Sequence, residues 1–167
     1  MIIAATGHRP DKLGGYGSLP ILRKVARVYL AKQVSQYSAI TGISGLAVGW
    51  DTAWALEVIR AKLPLIAAIP CDNQDMIWPV EAQRTYRFIL QRATNIIYVS
   101  KGGYEPWKMQ KRNQWMVDRS DRIAAMWNGS EGGTANCLQI ARLKRVPVDN
   151  LWPEYQLALG KLPGVLV

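Results

Sequence analysis

The sequence predicts a Rossmann-like α/β fold: a mainly parallel sheet with helices on both faces. Three observations carry that expectation. Short apolar runs alternate with helix-length amphipathic segments along the whole chain. Several of the runs are apolar throughout, as strands buried on both faces are. Most of the 14 glycines fall in the loops that directly follow those runs. In such a sheet, ligands sit beyond the carboxyl ends of the strands, at the topological switch point.

The first predicted strand, Ile2–Thr6, leads into "TGHRPDKLGGYG". A helix over Leu19–Gln36 follows, with Leu22, Val25, Ala26, Tyr29, Leu30 and Val34 as its apolar stripe. The second strand, Ala39–Thr41, ends in "TGISGLAVGWD" before a helix over Asp51–Ala61. The third, Leu65–Ile69, ends in "PCDNQDMIWP" before a helix over Val80–Arg92. The fourth, Asn95–Val99, ends in "SKGGYEPWKMQKRN", with a helix over Lys111–Ser120. The fifth, Arg122–Trp127, ends in "NGSEGGTANC", with a helix over Thr134–Lys144, and Val148–Leu151 is the last strand. Each parallel pair implies a right-handed crossover.

The 167 residues suit one domain, residues 1–167, with room for a proper core. No apolar run reaches the roughly 20 residues of a membrane span, so no membrane association is expected. The opening "MIIAATGHRP" lacks a basic leader and reads as a strand, not a signal peptide. Cys71 and Cys137 suggest neither a disulfide framework nor a zinc site. The simplest expectation is a reduced, cytoplasmic protein without metal or cofactor. A formal charge of +9 favours anionic partners, with solubility alone as the plain alternative. Acidic Glu105, Asp118 and Asp121 interrupt the basic stretch from Lys101 to Arg122, which argues against a simple nucleic-acid tail.

Four of the five strand-end loops carry two or more glycines. Glycine lets backbone N–H groups approach a ligand closely, and a glycine turn feeding a helix start makes an anion site. Singly these signals are weak: Gly42, Gly45 and Gly49 miss the dinucleotide spacing, and Gly132–Gly133 also fits a plain tight turn. Their concentration at one edge points to a phosphorylated or nucleotide-like ligand.

Together "TGHRPDKLGGY", "ISGLAVGWDTAWA", "RNQWMVD" and "WNGSEGGTANC" resemble the SLOG superfamily, nearest its YpsA-like branch. That superfamily includes cytokinin-activating phosphoribohydrolases, the DNA-processing protein A family and sensors of NAD-derived nucleotides. The resemblance spans roughly Ile2 to Pro153. It implies a nucleotide-type ligand at the strand-end edge and frequent homo-oligomers. It places Gly132, Gly133 and Thr134 on a phosphate, Ser44, Gly45 and Gly49 along a ribose or base, and Arg112 and Asn113 at the opening of the fourth helix, facing the ligand. Trp115 and Met116 would then pack.

Other residues have two readings each. Thr134 holds phosphate or is an ordinary N-cap. Asp51 caps its helix or accepts from a ligand hydroxyl. His8, the only histidine, is structural or sits at the ligand beside Gly7 and Arg9, where Arg9 can pair with a phosphate. Lys12 and Tyr16 add a charge and a stacking face, and Trp50 or Trp78 can stack on a base.

Three functions follow. The first is binding of a nucleotide or an NAD- or ADP-ribose-derived molecule, for sensing or sequestration. The second is cleavage of a nucleotide N-glycosidic bond. The phosphoribohydrolase turn, roughly Gly-Gly-x-Gly-Thr followed by glutamate, is here Gly-Gly-Thr-Ala-Asn-Cys, without the glutamate. Glu131, Asp51 or Asp75 would have to supply the carboxylate that stabilises a cation-like sugar. The third is single-stranded DNA binding. The apolar tail Leu162–Val167 either supports a homo-oligomer or closes the domain's own core.

Overall fold

The computed structural model describes residues 1–163; the last four residues of the apolar tail lie outside them. One six-stranded parallel sheet runs in the order β4-β3-β2-β1-β5-β6. Its strands are β1 (Ile2–Gly7), β2 (Thr41–Ser44), β3 (Leu65–Ile69), β4 (Asn95–Tyr98), β5 (Arg122–Met126) and β6 (Val148–Asn150). The helices are α1 (Leu19–Gln36), α2 (Trp50–Arg60), α3 (Val80–Leu90), α4 (Pro106–Val117), α5 (Gly133–Leu143) and α6 (Trp152–Ala158). This is the expected Rossmann-like α/β architecture.

The two-residue period of the strands divides the core. Ile3 and Ala5 face a cluster that includes Leu22, Trp50, Trp54, Tyr86 and Tyr155, so α1, α2, α3 and α6 cover that side. Ala4, Ile123 and Ala125 face Met116, Val117, Cys137 and Ala141 on α4 and α5. From β1 the chain steps to β2, β3 and β4, then returns to lay β5 against the other side of β1. The switch point therefore lies between the carboxyl ends of β1 and β5.

Four local differences from the sequence reading have physical causes. β2 starts at Thr41, not Ala39, because Thr41 to Ile43 pair with Ile2 to Ala4. Gly42 is thus a strand residue; a Cβ there would meet Val58 at 2.7 Å, so α2 packs directly on the backbone. The stripe of α1 continues from Tyr29 to Gln33, and Val34 is exposed. α4 starts five residues before the predicted Lys111, with Pro106 at its first position. The buried Lys108 ammonium makes that start possible: it donates to Lys101 O and Gly103 O (2.8 and 2.7 Å) and pairs with Glu105 (3.0 Å). α6 was not anticipated.

One buried charge ties α1 to α2. Glu57 is nearly inaccessible, yet Arg23 Nε and Arg27 Nε donate to its carboxylate at 2.7 and 3.0 Å. Burial pushes the Glu57 carboxyl up, but the bonds from Arg27 and Arg23 outweigh it and hold the group below its ordinary value.

Candidate functional site

A cavity of about 200 Å³ opens at the β1/β5 switch point. β1 brings Gly7, His8 and Arg9 to its wall, and the turn after β5 brings Glu131, Gly132, Gly133 and Thr134. α4 supplies Arg112 and Asn113, and α2 supplies Asp51. Residues read separately along the chain are thus neighbours here.

The turn forms the floor. Gly132 is the N-cap of α5, with φ of 135°, and no side chain caps the helix. The first intrahelical bond runs from Asn136 N to Gly132 O. The N–H groups of the first turn are therefore left to the cavity, where the helix dipole favours an anion. Thr134 lies inside that first turn and is not the N-cap.

Arg112 forms the opposite wall from the interior of its helix, not from its start. Its side chain is 7% exposed. Nε donates to Asn113 Oδ1 at 3.0 Å, and Asn113 Nδ2 donates to Gly133 O at 3.3 Å, linking guanidinium to turn. Among the described residues Nη1 has no hydrogen-bond partner; its nearest carboxylate oxygen, Asp51 Oδ2, is 3.9 Å away. Burial draws the Arg112 pKa below its ordinary value, and Asp51 offsets this only in part. Gly45 exists to admit this group: a Cβ there would lie 1.3 Å from Nη1.

Asp51 is the carboxylate nearest this guanidinium and does not cap α2; Gly49 holds the N-cap position. Burial pushes the Asp51 carboxyl up to about 6, while Arg112, Arg9 and the backbone of Ala47 and Gly7 pull the other way. The native state therefore keeps a proton that the unfolded chain, with its ordinary 3.8, releases. Stability should fall as pH rises from about 4 to about 6 and then level off, a contribution of about 3 kcal/mol at roughly 1.4 kcal/mol per unit. Asp51→Asn should remove that slope in denaturant titrations across this window; an unchanged slope would show that Asp51 does not titrate there.

The remaining candidates divide. Ser44 lies behind the wall: its Oγ donates to Asp51 O at 2.8 Å and accepts from Leu46 N at 3.1 Å. Gly49, with φ of 110°, lets the start of α2 approach His8 O. His8 is buried edge-on to Trp152 at 6.0 Å. Burial draws its pKa below the ordinary histidine value, with the Asn128 bond opposing. His8 Nε2 lies 2.7 Å from Asn128 Oδ1 and 3.1 Å from Asn128 N, and the same Oδ1 accepts from Ser130 N. Lys12 Nζ donates to Ser130 Oγ and Glu131 O at 2.7 and 3.0 Å. His8 and Lys12 thus brace the turn from the β1 loop. Glu131 is exposed at the rim, and Asp75 does not line this cavity.

Trp50 does not stack in a loop: it is fully buried and its Nε1 donates to Ala124 O at 2.9 Å. Trp78 packs edge-on against Tyr86. It also lines a neighbouring cavity of about 360 Å³ with Tyr16, Arg9 and Asp11, and the last two border both cavities. Asn128 was missed, although an asparagine directly after a strand and before Gly129 is a turn-ordering signal.

Fold and site together define a Rossmann-like protein with a glycine-lined cavity at the carboxyl edge of its sheet. The YspA SLOG family model matches residues 3–147, and the chain belongs to that family. It is 36% identical to the SPbeta prophage-derived protein YoqJ of Bacillus subtilis (strain 168), over 70% of this chain and 79% of that protein. It is 25% identical to a UPF0398 protein of Bacillus thuringiensis (strain Al Hakam), over 99% of this chain and 94% of the relative. Among solved structures it resembles DNA processing protein A from Streptococcus pneumoniae (TM-score 0.61, 18% identity, 87% of this chain). The chain spans about half of that protein, 48%. DNA processing protein A from Helicobacter pylori, described for its single-stranded DNA binding mode, also matches (TM-score 0.61, 18% identity, 100% of this chain and 76% of that one). At this identity the structural likeness shows the fold alone.

Proposed function

We propose that this protein binds a phosphorylated, nucleotide-type small molecule at the β1/β5 edge and releases it unchanged. The observation that carries this reading is the Arg112 guanidinium, buried with Nη1 unpartnered, in the cavity whose floor is the start of α5. A buried donor without a partner costs about 1–3 kcal/mol, and a phosphate held there would supply the acceptor. Arg9 leads from this cavity to the one bordered by Tyr16 and Trp78, which suits the rest of a nucleotide. A sensing or sequestering role follows from binding without chemistry.

The test is calorimetric titration with ADP-ribose, followed by chromatography of the recovered ligand. Gly133→Asp should abolish binding by placing negative charge on the anion floor. The substitution is separable from folding, because a Cβ at Gly133 meets nothing within 4 Å. Unaltered affinity would remove the turn from the site.

A second reading has its own observation. Asp51 is a buried carboxylate on the cavity wall with a raised pKa, the kind of group that glycosidic cleavage uses. Free base appearing in the recovered ligand, and disappearing with Asp51→Asn, would replace simple binding by N-glycosidic hydrolysis. The net charge and the Helicobacter pylori relative motivate single-stranded DNA as a third ligand. Such binding would weaken steeply with salt, and displacement of ADP-ribose by an oligonucleotide at low salt would favour it.

A further inference from the structure

A second polar cavity, of about 540 Å³, lies between α1, β6 and α6, away from the β1/β5 edge. Among the described residues six buried side-chain atoms lack a hydrogen-bond partner, and three of them belong to residues lining this cavity. They are Gln33 Oε1, Arg122 Nε and Glu154 Oε2. Gln33 is 4% exposed, yet its acceptor faces no protein donor. Buried polar atoms are normally paired, so three in one place call for a ligand with matching groups.

The matching groups can be read from what is already committed. Asp149 is satisfied: Tyr29 Oη donates to it at 2.7 Å, and Arg122 Nη1 donates to both its oxygens at 2.8 and 2.9 Å. That leaves one donor, Arg122 Nε, and two acceptors, Gln33 Oε1 and Glu154 Oε2. Lys32 stands on the same lining, so its formal charges balance: Lys32 and Arg122 against Asp149 and Glu154. An anion alone would leave the acceptors unpaired and meet two carboxylates. A cation alone would leave Arg122 Nε unpaired. Val25, Val28, Val148 and Leu151 complete the lining with apolar surface.

We infer that this cavity is a binding site for a small zwitterion with an aliphatic body, an α-amino acid in chemical class. Its ammonium group donates to Glu154 and Gln33, its carboxylate accepts from Arg122 Nε beside Lys32, and its side chain lies against the valines. Asn150 lines this cavity and also holds the backbone of Trp127, at the start of the glycine turn, through bonds at 3.1 and 2.9 Å. The inference does not depend on the identity of the nucleotide-type ligand.

Calorimetric titration of the full chain with L-leucine, isocaproate and isoamylamine tests it. L-leucine should bind saturably, and the two analogues, each lacking one charged group, should bind about 30-fold more weakly, the scale of a lost charged hydrogen bond. Glu154→Gln and Gln33→Leu should weaken L-leucine to the same degree, with circular dichroism unchanged and ADP-ribose titrations unaffected. Absence of saturable L-leucine binding overturns the inference. So does binding of isocaproate as tight as that of L-leucine, or variants that bind L-leucine like the parent. If the cavity holds only water, excess L-leucine will leave Tm unchanged, which also overturns it.

Discussion

Replacing Arg112 with methionine is expected to weaken ADP-ribose binding about 100-fold while the protein stays folded. The binding loss follows from losing charge-assisted hydrogen bonds, about 1.5–3 kcal/mol in total where one such bond is broken. Removing one member of a buried pair costs about 3–5 kcal/mol when it strands a charge, but the fold should survive because Asp51, already held high by burial, takes up a proton instead. Asp51, deprived of the guanidinium that pulls its pKa down, would then remain protonated to higher pH. Gly45→Ala offers an independent route to the same phenotype, since its Cβ would occupy the place of Nη1 and force the guanidinium aside. Titration calorimetry and circular dichroism of both variants separate the outcomes. Parental affinity in Arg112→Met would remove Arg112 from the ligand, and loss of fold would make its role structural.

Trp50→Ala should destabilise the protein by about 4 kcal/mol, the range for truncating a large buried aromatic side chain. Trp50 is fully buried and donates to Ala124 O, so truncation opens a cavity beneath the sheet and loses that hydrogen bond. It also underlies the site, because Gly7 packs directly on it; a Cβ at Gly7 would lie 2.6 Å from Trp50 Cβ. Trp50→Phe should cost less, keeping most of the volume and losing the N–H. Urea denaturation measures both. A Trp50→Ala variant as stable as the parent would place the ring outside the core.

The elements of this chain were legible because their signals are local. Apolar runs, the 3.6-residue stripe of α1 and the glycine turns each occupy a few consecutive residues, and β3 and α1 match their predicted bounds. The candidate site was partly legible for the same reason: residues just after parallel strands gather at one edge whatever else happens, and Gly7, Arg9, Gly132, Gly133 and Thr134 do so. Its internal arrangement was not legible. Ser44 and Gly49 sit in an equally glycine-rich loop, yet they support the wall from behind, because β2 lies on the far side of β1 from β5.

The sequence by itself determined the alternation of elements, the parallel sheet and the glycine-lined edge, since periodicity and turn chemistry act over short stretches. Only the tertiary structure decided that β1 lies between β2 and β5, and with that order came the rest. Gly45 meets Arg112, Asp51 turns from its helix cap toward the guanidinium, Trp50 leaves the loop for the core, and Gln33 replaces Val34 on the buried stripe. Burial and charge pairing depend on which distant residues become neighbours, and strand order sets that.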